Sequence, residues 1–223
     1  NVARGTRMAS SPMELLKCAA SGLLRHRSWP YRKKKFVSWA NFQRNKRLAT
    51  PIERIKEPIV LFPLNVPEDA QIVLREPQFN DILSACQMVV NVLPEAAVLV
   101  LKEHPGHPGM LHHSDLKRFL RNNRRCHYLD ARTSIYDVLA RTDVLVAVTS
   151  TSVVDGLIFG VPAVTLGRPA FGGSGVTLEA TEYHDLKHQM TRAFDRPSPK
   201  ELEKGLVEHF CRFLDETVPA PGV

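Results

Sequence analysis

The apolar positions change rhythm at residue 58. From there Ile59 to Leu64, Ala97 to Leu101, Cys126 to Leu129, Val144 to Val148 and Ala163 to Leu166 form short, continuous runs rich in β-branched residues. A strand buried on one face alternates apolar and polar positions, whereas a strand covered on both faces does not, so these runs read as parallel strands inside an α/β sheet. Between them the spacing lengthens to that of a helix, with Ile82, Leu83, Cys86, Val89, Val90 and Leu93 inside Phe79 to Leu93, and Ile135, Val138 and Leu139 inside Ser134 to Arg141. A basic helix is predicted from a Ser114 cap to Asn122, and helices near Glu179 to Phe194 and Pro199 to Glu216 close the chain. Asn65 to Pro77 reads as a polar loop and Phe171 to Thr177 as a glycine-rich one. The predicted fold is a Rossmann-like parallel sheet of about five strands flanked by helices.

The most regular stretch is Val144 to Gly167: a buried strand, a polar turn (Thr149 to Ser152), a short helix (Val153 to Phe159) and a second strand. The turn sets four hydroxyls where the first amides of a helix lack partners and the macrodipole favours negative charge, which suits an anion. Ser150 or Ser152 capping the helix is the simpler role. Loops 102–109, 149–152 and 167–177 all follow strands, and open α/β sheets bind ligands beyond the carboxyl ends of their strands. One shared site is therefore predicted there.

Charge divides the chain at the same boundary. Residues 1–57 hold 14 Lys+Arg against 3 Asp+Glu, while residues 58–223 hold 16 against 20, so the net +7 belongs to the N-terminal quarter. That segment strings Arg25-His-Arg27, Tyr31-Arg-Lys-Lys-Lys35 and Arg44-Asn-Lys-Arg47 between Trp29, Tyr31, Phe36, Trp39 and Phe42. It reads as a basic, mainly helical or linker segment (1–57) ahead of the Rossmann-like domain (58–223). Its aromatics either pack on a neighbouring domain or, with the cations of residues 25–47, meet an anionic membrane surface. Nucleic acid is not expected as a partner of the mildly acidic main body. Cys18, Cys86, Cys126 and Cys211 lie far apart, which suits reduced thiols in the cytosol better than disulfides or zinc. No apolar run approaches the roughly 20 residues of a membrane span.

Among side chains that carry chemistry, His104 follows a buried strand and precedes Pro105, which excludes helix there. Its imidazole can donate to a phosphate oxygen, shuttle a proton or bond local backbone. Lys102 can add charge to the same anion or be solvated at the strand end. Asp155 stands at the capping-box offset from Ser152 and can cap the helix or accept from ribose hydroxyls. Gly156 permits close approach of a ligand or strand, and Gly172, Gly173 and Gly175 can offer amides to an anion or sugar. His107, His112, His113 and Asp115 match no strong metal-ligand spacing, and no metal is expected. Walker A, GxGxxG, GxSxG and HExxH patterns are absent.

Four ordered motifs resemble one family. Phe62-Pro-Leu-Asn-Val-Pro-Glu-Asp69 with Gln71-Ile72, Lys102-Glu-His-Pro105, Thr149 through Gly167, and Ala170-Phe171 with Gly175-Val-Thr177 are similar to runs of bacterial capsule polysaccharide biosynthesis proteins, over about residues 58–178. The family includes β-Kdo transferases of GT-B fold, two Rossmann-like domains with CMP-Kdo on the C-terminal one. The resemblance implies that His104 contacts the donor phosphate, that Ser150 and Thr151 hold it at the helix start, that Asp155 replaces the family's Glu, and that Asp69 and Gln71 lie near the interdomain cleft. Asn65 stands in place of the usual Gln, and the acceptor half, where a catalytic acid or base is expected, is absent or reduced to the basic segment. No catalytic residue is assigned.

The expected activity is thus a glycosyltransferase, or its donor-binding domain, moving a sugar such as Kdo from CMP to a capsule polysaccharide or glycolipid acceptor. The donor is a substrate, no cofactor or metal is required, and the site is cytoplasmic, peripheral at the inner face of the cell membrane. The alternatives are a non-catalytic membrane-associated module of polysaccharide export and a UDP-sugar transferase or epimerase of the same fold.

Overall fold

A computed structural model of the chain describes residues 29–66, 69–167, 172–173 and 175–195, and the helical residues 204–205, 207–209 and 211–212. Arg25 to Arg27, Cys18, Ala170 and Phe171, and much of the predicted C-terminal helix, lie outside the described residues. Six strands make one sheet: β1 (Ile59–Pro63), β2 (Val98–Lys102), β3 (Cys126–Leu129), β4 (Val144–Ala147), β5 (Ala163–Leu166) and β6 (Leu178–Ala180). All pairings are parallel, in the order β3-β2-β1-β4-β5-β6. The α/β fold class read from the sequence is the one observed, and the first five strands fall on the predicted runs.

β6 was not expected. Leu178-Glu-Ala is too short to show an apolar run, and it is a strand because β5 offers a ladder that pairs Val164 with Leu178 and Leu166 with Ala180. The following helix accordingly begins at Tyr183 rather than near Glu179.

Among the described residues seven α-helices are bounded in the crossovers and the N-terminal segment: α1 (Trp29–Asn45), α2 (Ala70–Arg75), α3 (Ile82–Val92), α4 (His113–Asn122), α5 (Ile135–Leu139), α6 (Ser152–Ile158) and α7 (Tyr183–Phe194). α2 interrupts what reads as a polar loop, opening where the Asp69 carbonyl accepts from the Ile72 and Val73 amides. α3 starts later than its periodicity suggests, because Pro77–Phe79 forms a tight turn and the Asp81 carboxylate then caps the helix through the Ser84 amide. In α4 the residue before the helix is His112, so Ser114 lies in the first turn and is not the cap.

The unbroken runs are buried on both sides. Val60, Phe62, Leu99, Leu101, Val144 and Val146 face α3, α4 and α7, through Val89, Leu116 and Leu186. Ile59, Leu61, Val98, Val100, Leu145 and Ala147 face α5 and α6, through Val138, Val153 and Leu157. Burial of each large side chain stabilises by about 1.5–3 kcal/mol, so two filled faces hold the strands in a single register. At Gly156 the close approach is made by a strand: a Cβ there would lie 3.2 Å from a Leu145 methyl.

The described residues just before residue 58 pack on this core. Phe42, Ile52 and Ile55 are buried, the Thr50 amide donates to the Tyr128 carbonyl along the outer edge of β3, and the Arg141 guanidinium donates to the carbonyls of Ile52 and Ile55. It covers an edge strand that would otherwise expose unpaired backbone. Among the described residues no helix is long and apolar enough to cross a membrane. Cys86, Cys126 and Cys211 are free thiols, and burial pushes the Cys126 thiol up to about 12.

Candidate functional site

Because every strand is parallel, all carboxyl ends lie on one edge. The chain runs outward from β1 through β2 to β3, then crosses to β4 and runs outward the other way, so the topological switch point lies between β1 and β4. The loops after β2, β1 and β4 open there side by side, and they carry His104, Asn65 and the Thr149–Ser152 turn. Adjacent strands are about 4.8 Å apart, which puts the β2 and β4 loops roughly 10 Å apart across β1, within reach of one ligand.

His104 is exposed, and its ring is oriented from behind: the Gly106 amide donates to Nδ1 at 3.0 Å. A nitrogen that accepts from an amide carries no proton, so the neutral ring holds its hydrogen on Nε2. Burial, then His107 and Lys102, lowers the His104 pKa from its ordinary value, which keeps the ring neutral near pH 7. What remains is an N–H donor presented at the loop surface. Pro105 is exposed beside it.

The loop is built on Glu103, a residue without an assigned role in the sequence. Its carboxylate is fully buried and accepts from the Gly109 amide (2.8 Å), the Leu111 amide (3.0 Å) and the Tyr128 hydroxyl (2.9 Å). Burial pushes the carboxyl up, the two amides, Tyr128 and Lys102 draw it back, and the net shift is upward. The same desolvation and the neighbouring Glu103 raise the Tyr128 phenol well above its ordinary value.

Lys102 departs from expectation. Strand parity puts its side chain on the face of Val98 and Val100, where it is 3% exposed, and Nζ donates to the carbonyls of Ala131 (3.3 Å) and Glu103 (3.4 Å). Burial lowers its pKa, partly offset by Asp130 and Glu103. It supports the loop from beneath instead of offering a solvated cation to an anion.

The turn after β4 is more open. Ser150 bonds the amides at the helix start: its Oγ accepts from the Ser152 amide at 3.2 Å and its carbonyl from the Val153 amide. Thr149 Oγ1 accepts from Asn65 Nδ2 at 3.2 Å, bonding the two sides of the switch point, and Asn65 Oδ1 is buried without a partner. Thr151 is exposed and Ser152 half-buried, and neither makes a side-chain cap. Asp155 is half-buried and does not cap the helix.

Gly173 and Gly175 sit in open space after β5, and the Gly173 amide already donates to the Glu179 carboxylate. Asp69 opens α2 beyond β1, and the side chain of Gln71 lies outside the described ones. A cavity of about 30 Å³ lies against Asn65, Val66 and Ile72. The larger groove, about 450 Å³ between α3 and α4, is lined by Asp81, Ser84, Gln87 and Arg118 and by none of the predicted site residues. Among the described residues no three His, Cys, Asp or Glu side chains gather as metal ligands; His113 Nδ1 bonds the Asn45 carbonyl and Asp115 pairs with Arg118.

A parallel sheet with hydroxyls and an oriented imidazole at its switch point is an arrangement that can receive an anion. Residues 25–199 match the model of the capsule polysaccharide biosynthesis protein family, and the chain belongs to that family. Similar solved structures include two KpsC proteins of Thermosulfurimonas dismutans. The beta Kdo 2,7 transferase is 22% identical over 87% of this chain and 64% of that one, with a TM-score of 0.46. The beta Kdo 2,4 transferase is 16% identical over 76% and 53%, with a TM-score of 0.44. A structure of trehalose-6-phosphate from E. coli bound with UDP-2-fluoro glucose is 11% identical over 78% and 46%, with a TM-score of 0.47. The chain spans less than two thirds of each. Comparison with curated protein sequences gives no match.

Proposed function

We propose that this chain is the donor-binding half of a GT-B glycosyltransferase that transfers Kdo from CMP-Kdo to a capsule polysaccharide or glycolipid acceptor. The observation that carries the reading is the His104 ring, whose Nδ1 is occupied by the Gly106 amide and whose Nε2–H is free to donate at the switch-point edge. A donor aimed at a departing phosphate stabilises the charge that develops as the glycosidic bond breaks, without a metal. In this reading the hydroxyls of Thr149, Ser150, Thr151 and Ser152 add donors beside it. Asp155 accepts from the ribose, and Gly173 and Gly175 line the far side of the donor. Asp69 and Gln71 lie near the interdomain cleft, across which the acceptor and the catalytic base are supplied. Membership in the capsule family supports the choice of a sugar nucleotide, and the four-motif resemblance supports CMP and Kdo.

Calorimetric titration with CMP, UDP and GDP, with magnesium or with EDTA, tests this. Selective CMP binding unaffected by EDTA is expected. Preference for UDP moves the activity to the alternative donor class, and binding of none removes the nucleotide reading.

A second reading has its own observation. On the outer face of α1, Phe36 is 67% and Trp39 44% exposed, their rings 5.9 Å apart, on a helix with no acidic residue and cations at Arg32 to Lys35 and Arg44. This favours peripheral contact with an anionic membrane at the cytoplasmic face, and with it a membrane-bound acceptor. Co-sedimentation with phosphatidylserine vesicles, abolished by 0.5 M salt or by Phe36→Ser/Trp39→Ser, is the expected result; equal retention on neutral vesicles rejects it.

A further inference from the structure

We propose that Glu103 is a positioning residue for His104, and that α1 completes the same clamp from the opposite side. The inference rests on the reading of His104 as a phosphate donor and adds how that donor is held. Residues 109 and 111 are gripped through both backbone groups. Their amides donate to the two oxygens of the Glu103 carboxylate. Their carbonyls accept from α1: Leu111 from Asn45 Nδ2 at 3.1 Å, and Gly109, more weakly, from Asn41 Nδ2 at 3.5 Å. The Asn45 side chain is itself fully buried and its carbonyl bonds His113 Nδ1, so its amide has one orientation.

Gly109 fits this grip for a steric reason. Its φ is +75°, and a Cβ would collide with the Ser38 carbonyl and the Phe42 amide of α1. The helix backbone therefore lies directly on the loop. With both ends of the loop fixed, at Glu103 and at 109–111, the intervening turn closes through the His107 amide on the His104 carbonyl, and Gly106 reaches Nδ1. The tautomer of His104 is thus set by a carboxylate that the ligand never touches and by a helix that precedes the whole sheet in sequence. Glutamine at 103 keeps the size but not the acceptors: its NH₂ must face one of the two backbone N–H groups, which then loses its partner.

The test compares Glu103→Gln, Asn45→Ala, His104→Ala and the double variant Glu103→Gln/His104→Ala by CMP titration, with ring nitrogen NMR of the free proteins. Glu103→Gln and Asn45→Ala are each expected to weaken CMP binding at least about tenfold, as for loss of one hydrogen bond to a charged group. The double variant is expected to bind no worse than His104→Ala alone, because Glu103 acts only through that ring. In the free protein the ring should hold its proton on Nε2, and both single variants should show mixed tautomers. Wild-type affinity in the folded variants, or additive losses in the double variant, overturns the proposal. If the wild-type chain binds no CMP the functional reading fails, and the ring tautomers still decide whether Glu103 positions His104. Asn45→Ala keeps the test in hand should Glu103→Gln not fold.

Discussion

The loop after β2 and the turn after β4 open on the same edge of the sheet, and both are dense in polar groups, yet the two are built in opposite ways. In the first, the groups satisfy one another: the Glu103 carboxylate has three donors, Lys102 donates to two carbonyls, and α1 covers the outside. In the second, Ser150 closes one capping bond, Thr149 meets Asn65, Asn65 Oδ1 is left buried without a partner, and Thr151 stays exposed. Internal bonding stabilises a fold and orients what it holds; unspent donors and acceptors are what a ligand can use. In the proposed function the β2 loop supplies stability, and the β4 turn and the His104 tip supply the ligand contact.

Glu103→Ala should break the contrast most. It strips the acceptor from three donors, each worth about 1–3 kcal/mol, so a loss of about 4 kcal/mol, roughly 10 °C in Tm, is expected by thermal denaturation. Gly109→Ala comes next, since a left-handed conformation costs a non-glycine residue about 1–2 kcal/mol and the new methyl must also displace α1. Limited proteolysis should then cut faster at Lys33 to Lys35. Tyr128→Phe removes one donor and should cost about 1 kcal/mol. Ser150→Ala should cost about the same, the usual value of a helix cap, but unlike the others should weaken CMP binding in proportion to more than its stability loss. If turn and loop variants destabilise and weaken binding in equal measure, the division between them is wrong.

The smallest effect is a pH dependence at His104. Its folded pKa lies below the unfolded value, so the unfolded chain takes the extra proton first as pH falls. The stability this ring contributes is present above about pH 6.5 and declines as pH drops from there through the folded pKa. The Tm difference between wild type and His104→Ala should therefore narrow from pH 7.5 to 5.5; a widening difference contradicts the tautomer assignment.

Much of the sheet could be read directly, because Val144 to Val148 and Ala97 to Leu101 are short unbroken apolar runs, the form that strands covered on both faces take. His104 and the Thr149–Ser152 turn could be placed on one edge for the same reason: each follows such a run. What escaped depends on partners distant in sequence. Leu178–Ala180 is a strand only because β5 is beside it. Lys102 reads as a solvated strand-end cation, and only strand parity and the Ala131 carbonyl show it buried. Glu103 stands inside a recognisable tetrapeptide without a local cue that Leu111 and Tyr128 are its partners. Asn41 and Asn45 look like polar positions of a basic helix until the loop 68 and 66 residues away is seen to rest on them.

In the proposed function an imidazole held in one tautomer at the switch point donates to the phosphate of a nucleotide sugar. Calorimetric titration of CMP into wild type and His104→Ala, in EDTA at pH 7.5, tests it most directly. Wild type is expected to bind independently of metal, and a variant whose Tm is little changed to bind at least about tenfold more weakly, the cost of one charge-assisted hydrogen bond. Equal affinity in the two proteins would contradict it.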